Sequence, residues 1–170
     1  MNIKQPAPEF SLPDLQGNLH RLSDYRGRIA VINFWSAECP WVERVDRELL
    51  LALRTWGGRL VLLTVAANAN EGEALLAATA RERGLPFVLR ASPEVLDAYA
   101  VEITPHLSVV DGGGILRYSG AFDDVTFRRH TPTRFYLSEA IAALLSGRQP
   151  EPAQTSPYGC AVLRQLPESC

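Results

Sequence analysis

Cysteine is scarce in this chain of 170 residues, with only Cys39, Cys160 and Cys170 present. Three are too few for a disulfide scaffold and too widely spaced for a structural zinc site, so no metal is expected. Long apolar runs are missing too. None approaches the ~18 residues a membrane helix needs, which argues against a membrane partner. The first ten residues, MNIKQPAPEF, lack the apolar core of a signal peptide, so the expectation is a cytoplasmic protein, with a trimmed export signal as the alternative. Neither sign of charge dominates: 17 Lys and Arg face 19 Asp and Glu, for a net charge of −2. That leaves no electrostatic footprint for nucleic acid. Asp111-Gly112-Gly113-Gly114 lacks the lysine and the following helix of a phosphate loop, and Ser36 sits in no Gly-x-Ser-x-Gly elbow. No cofactor is expected.

What is present is ordinary for one globular domain, at 46% hydrophobic and 21% charged residues. A chain of this length buries roughly 70% of its unfolded surface and needs no staple to fold. Phe10, Leu12 and Leu15, then Gln16-Gly17-Asn18, then Leu19 and Leu22 suggest two short strands around a turn. Ile29 to Trp35 is a continuous apolar run, as in a strand buried on both faces of a central sheet. Pro40 suits a first helical turn, and Trp41, Val42, Val45, Leu49, Ala52, Leu53 and Trp56 recur at helical steps until Gly57-Gly58. Leu60 to Val65 is a second buried strand. A helix over Glu71–Arg83, a short extended piece at Pro86–Leu89 and a helix from Pro93 through Tyr99, capped by Ser92, follow. Leu107–Val110 and Ile115–Tyr118 flank the glycine run as a hairpin. The spacing predicts a last helix from about Thr133 to Ser146, with Phe135, Leu137, Ala140 and Ile141 on its buried side. From Arg148 onward, Pro150, Pro152, Pro157 and Pro167 break up a tail with no helical period, whose docking should depend on few contacts. The order implies a three-layer α/β sandwich with a mixed central sheet. It divides into a body of residues 1–147 and a Pro-rich tail of residues 148–170 that carries Cys160.

The strongest chemical signal is Asn33-Phe34-Trp35-Ser36-Ala37-Glu38-Cys39-Pro40-Trp41. A buried strand ends, and a cysteine stands directly before a helix, where unpaired N–H groups and the positive end of the helix dipole face its sulfur. Both stabilise a thiolate, which is the nucleophile of exchange and peroxide chemistry. The alternative is that Cys39 is a small buried hydrophobe.

This stretch resembles the active-site strand, loop and helix of thioredoxin-like proteins, in the branch of redoxins, thiol-disulfide oxidoreductases and peroxiredoxins (AhpC/TSA-like). Ala7-Pro8-Glu9-Phe10 and Leu22-Ser23-Asp24-Tyr25-Arg26-Gly27 resemble that branch's N-terminal hairpin, here an extension of the thioredoxin-like fold. Ile103-Thr104-Pro105-His106 resembles its cis-proline loop, which implies that Thr104 and Pro105 lie beside the reactive sulfur. The resemblance covers roughly residues 6–147. It implies an enzyme whose partners are protein or small-molecule thiols, disulfides or peroxides, and it leaves the oligomeric state open.

One departure matters. Thioredoxin-like reductants carry Cys-x-x-Cys, but Val42 stands three after Cys39 and Ser36 three before it. Three readings remain. In the first, Pro157-Tyr158-Gly159-Cys160, similar to a segment that ends some redoxins, supplies Cys160 as the resolving thiol, and the glycine lets the tail's backbone approach closely. In the second, Cys39 is the peroxidatic residue of a thiol peroxidase, with Ser36 orienting the peroxide. The proline that those enzymes carry seven before the cysteine is Ile32 here, and no arginine can be assigned. In the third, the domain only binds.

Supporting roles carry bland alternatives. Glu38 opposes thiolate formation by like charge, and is a solvated flank or a proton-transfer group. Trp35 and Trp41 wall the site or pack the core. His106 donates to a partner or is an exposed loop residue. Arg128-Arg129-His130 and Arg134 hold an anion or form a solvated face. Cys170, at the terminus, is assigned no role.

Overall fold

The computed structural model describes residues 2–164; Cys170 lies outside them. Strands β1 (Ser11–Pro13) and β2 (Leu19–Arg21) form an antiparallel hairpin. Strand β3 (Ile29–Trp35), buried throughout, leads to helix α1 (Pro40–Trp56), with Cys39 at its N-cap and Pro40 in its first turn. Strand β4 (Leu60–Ala66), helix α2 (Glu73–Arg83), strand β5 (Leu89–Arg90) and helix α3 (Pro93–Ala98) follow. The Ser92 side chain accepts from the Val95 N–H and caps α3. Strands β6 (Ile103–Thr104), β7 (His106–Val110) and β8 (Leu116–Gly120), helix α4 (Tyr136–Leu145) and strand β9 (Cys160–Ala161) follow within the described residues.

The central sheet runs β5-β4-β3-β7-β8, parallel across β5, β4 and β3 and antiparallel across β3, β7 and β8. Alternation along β3 sends Ala30, Ile32 and Phe34 to one face, with Leu12, Leu22, Leu96 and Tyr99, under the hairpin and α3. Ile29 and Val31 face the other way, onto Val45 and Leu49 of α1 and Leu137 and Ile141 of α4. A third cluster at the end of the sheet joins Trp35, Cys39 and Val42 to Leu76 and Ala80 of α2. No helix among the described residues is long and apolar enough to cross a membrane.

Several local expectations change. Helix α2 starts at Glu73, because Gly72 is extended and serves as the N-cap, leaving Glu71 outside the helix. Strand β5 begins only at Leu89, where pairing with Val65 begins. Helix α4 starts at Tyr136 because the Asp124 carboxylate accepts from the backbone N–H groups of Thr133 and Arg134, holding them out of the helix. Phe135 is therefore exposed, not buried.

The tail also differs from expectation, since its docking is extensive although it has no apolar face. The Ser119 N–H donates to the Ala153 carbonyl and the Thr155 N–H to the Ser119 carbonyl. The Thr155 hydroxyl shares a hydrogen bond with that of Tyr118 and accepts from the Ala121 N–H. At Gly120, where φ is +147°, a β-carbon would lie 2.2 Å from the Thr155 Oγ1, so only glycine lets the tail this close. Further on, β9 pairs antiparallel with β6, and the Val162 N–H donates to the Glu102 carbonyl. Backbone pairing leaves no hydrophobic period in the sequence, which is why the docking could not be read there.

Candidate active site at the start of the first long helix

Strand β3 carries the chain out of the core at Trp35, and residues 36–38 turn it into α1. Cys39 is 3% exposed. Its sulfur is bonded to that of Cys160, with the α-carbons 6.0 Å apart, and lies 3.5 Å from the Thr104 carbonyl oxygen. The Thr104–Pro105 peptide is cis. Pairing of β6 with β9 sets Thr104 opposite Cys160. Trp41, in the first turn of α1, meets the Tyr158 ring edge to face at 5.0 Å. Cys39, Pro40, Trp41, Thr104, Pro105 and Cys160 thus come together around one sulfur pair.

Ser36 and Glu38 meet a residue that sequence reasoning missed. Glu71 is fully buried. Its carboxylate accepts from the Ser36 hydroxyl at 2.5 Å, the Ala37 N–H at 3.1 Å and the Glu38 N–H at 3.2 Å. These donors belong to the turn that presents Cys39, so Glu71 holds its shape. The Glu38 side chain is exposed; its backbone is the part that is held. The Asn68 amide nitrogen donates to the Ser36 hydroxyl oxygen at 3.1 Å and to Glu71 at 3.3 Å. Ser36 is therefore engaged with Glu71 and Asn68.

A second buried carboxylate lies deeper. Asp46 of α1 accepts from the Trp35 indole at 2.7 Å and from Arg83 at 3.0 Å. Burial pushes its carboxyl upward, against the lowering effect of those donors. The other end of Arg83 donates to the Ala37 carbonyl at 2.9 Å, so one guanidinium spans the turn and the helix behind it. Trp35 is fully buried and serves the core through this bond. Arg44 of α1 grips Asp123 with two hydrogen bonds, fixing the loop after β8 beside the site.

One minor expectation fails. His106 is buried in β7 rather than exposed, sharing a hydrogen bond with Ser119 at 2.8 Å, and burial lowers its pKa to about 4. Within the basic cluster, Arg129 pairs with Asp124 and Arg134 with Glu139, which commits both to shaping the loop before α4.

Residues 3–119 match the AhpC/TSA family. The chain belongs to that family. Its relatives include the thiol-disulfide oxidoreductase ResA of Geobacillus kaustophilus, 33% identical over 135 residues and covering 75% of each chain. An uncharacterized conserved protein from Geobacillus kaustophilus superposes with a TM-score of 0.86 at 26% identity, over 99% of this chain and 94% of that one. That overlap takes in the tail. The thioredoxin domain of a thiol-disulfide oxidoreductase from Bacteroides vulgatus superposes at 0.61, with 22% identity, over 68% of this chain and 86% of its own. The fold of this AhpC/TSA-family chain is thioredoxin-like, and the chain is an oxidoreductase.

Proposed function

We propose that the chain performs thiol-disulfide exchange with Cys39 as nucleophile and Cys160 as resolving thiol. The observation that carries this reading is the bond between Cys39, at the N-cap of α1, and a cysteine delivered by the tail. In the reduced protein the Cys39 thiolate attacks a substrate disulfide. That S–S bond breaks, its second sulfur leaves as a thiolate, and a mixed disulfide forms. The Cys160 thiolate then attacks the Cys39 sulfur and expels the reduced substrate. Two electrons have passed to the substrate, and the Cys39–Cys160 bond stores the oxidation until a dithiol reductant removes it. Val42 bars a resolving thiol within the motif, so a body of residues 1–147 and a tail of residues 148–170 divide the work. The donation of the Ser36 hydroxyl to Glu71 favours exchange over peroxide reduction.

The test is turnover of a protein disulfide under a dithiol reductant. Cys39→Ser should abolish it, and Cys160→Ser should allow one attack and then accumulate the mixed disulfide, visible by mass. Hydrogen peroxide should be consumed no faster than by an ordinary thiol. Unimpaired turnover by Cys160→Ser would remove Cys160 from the mechanism, and rapid peroxide turnover would replace exchange with peroxidase chemistry.

A further inference from the structure

The tail's backbone passes close against the body at Gly159. A β-carbon there would lie 2.0 Å from the Thr104 carbonyl oxygen, 2.9 Å from its carbonyl carbon and 3.0 Å from the Pro105 Cδ. The first two are backbone atoms of a fully buried residue that leads directly into β7, inside the central sheet, so the obstacle has little room to retreat. The same carbonyl oxygen lies 3.5 Å from the Cys39 sulfur, and the residue that bears it sits opposite Cys160 in the strand pair. Disulfide, strand register and close approach thus converge on one peptide group. One residue earlier, the half-exposed Tyr158 meets the Trp41 ring edge to face and lines a small recess with Trp41, Pro105, Phe122 and Val125.

We infer that the exchange partners of this site are extended polypeptide segments with the sequence aromatic–glycine–cysteine, which take the place of the tail on β6. The inference rests on the exchange reading above and specifies its substrate class. Any cysteine bonded to Cys39 while its backbone pairs with Thr104 places its preceding residue where Gly159 lies. Every residue other than glycine carries a β-carbon into the Thr104 carbonyl there, and such overpacking disfavours binding by about tenfold or more. The aromatic residue adds a smaller, severalfold preference through Trp41. Since segment and tail need the same edge, the segment's backbone first lifts off β6 while its sulfur stays bonded to Cys39; Cys160 then attacks in line, and the tail redocks on the vacated edge. In that step the Cys39–segment bond breaks, the Cys39–Cys160 bond forms, and the segment departs as a thiolate.

The test uses the full chain with Cys160→Ser and Cys170→Ser, leaving Cys39 as its single thiol. The probes are the peptides Tyr-Gly-Cys-Ala, Ser-Gly-Cys-Ala and Tyr-Ala-Cys-Ala, each activated as a thiopyridyl disulfide. Attack by Cys39 releases thiopyridone, whose absorbance gives the rate. Each rate is divided by the rate of the same peptide with glutathione, which removes intrinsic reactivity. Tyr-Gly-Cys-Ala should exceed Tyr-Ala-Cys-Ala by about tenfold or more, and Ser-Gly-Cys-Ala should fall between them. Glycine and alanine peptides within twofold of each other overturn the inference. Dithiodipyridine, which needs no groove, reports whether Cys39 attacks at all. Silence towards it overturns the exchange reading itself, whereas reaction with it and equal peptide rates overturns only the glycine requirement. As a second measurement, Gly159→Ala in the otherwise unchanged chain should shift the glutathione equilibrium of the Cys39–Cys160 pair about tenfold or more towards the dithiol, with melting of the reduced protein unaltered. An unshifted equilibrium overturns the inference.

Discussion

The side-chain oxygen of Asn68 accepts the backbone N–H of Leu163 at 2.9 Å, and the Leu163 carbonyl in turn accepts the N–H of Ala69. Since the nitrogen of the same carboxamide holds Ser36 and Glu71, the tail and the turn before Cys39 share one clamp. The two sulfurs are thus linked by a noncovalent route as well as by their bond. Asn68→Ala should weaken tail docking by about 1 kcal/mol, the net worth of a hydrogen bond, and favour the dithiol roughly fivefold. A redox titration against glutathione reads this; an unchanged midpoint would mean the clamp adds nothing to tail docking.

Glu71→Ala removes the acceptor from the turn of residues 36–38 and leaves the buried Ala37 N–H without its partner. The expected loss is about 2–4 kcal/mol, similar in the oxidised and reduced proteins, because the carboxylate belongs to the body. Urea melts of both states measure it. A loss confined to the oxidised protein would instead place Glu71 among the tail contacts.

Closing a loop with a sequence separation of 121 should make the oxidised protein more stable than the reduced one by about 4–5 kcal/mol in the chain-entropy model. Denaturant melts with and without a dithiol test this. Limited proteolysis should cut near Tyr158 only after reduction. A difference under about 1 kcal/mol would show that the docked tail opposes its own bond.

His106 makes stability depend on pH. Its ordinary pKa of 6.5 falls to about 4 through burial. Below pH 6.5 the unfolded chain takes up a proton that the folded protein refuses until about pH 4, so stability declines as pH drops through that window. The slope approaches about 1.4 kcal/mol per pH unit and totals about 3 kcal/mol. Asp46, raised by burial, acts in the opposite sense above its ordinary 3.8, so the difference between His106→Asn and the parent isolates the histidine. Melts of the oxidised protein from pH 4 to 7 should show a flatter profile for the variant.

Where apolar pattern determined structure, the sequence was legible. The run from Ile29 to Trp35 and the helical recurrence from Trp41 to Trp56 placed Cys39 at a helix start on physical grounds alone. Cys160 was reached only through resemblance, because a residue brought in by backbone pairing leaves no period. Glu71 stayed hidden since it reads as an acidic first-turn residue, whereas Gly72 holds it outside α2 and two of its carboxylate's four partners are main-chain N–H groups. A signal did exist: Asn68 and Glu71 are polar residues just beyond a buried strand whose end, Ala66, lies beside Trp35. His106 was misjudged because the loop at Pro105 gives way at once to a central strand.

The strand pair between β6 and β9 joins the body to a segment that follows α4 by more than a dozen residues, and nothing in that pairing requires both strands to come from the same molecule. A tail released by reduction can lie across the body of a second copy, and reoxidation there would lock a domain-swapped dimer through two intermolecular disulfides. Tethering holds each tail near its own body at an effective concentration on the order of millimolar, so dilute protein should reoxidise as monomer. Crowded protein should not, and the concentration at which dimers appear on reoxidation measures the reach of the tail.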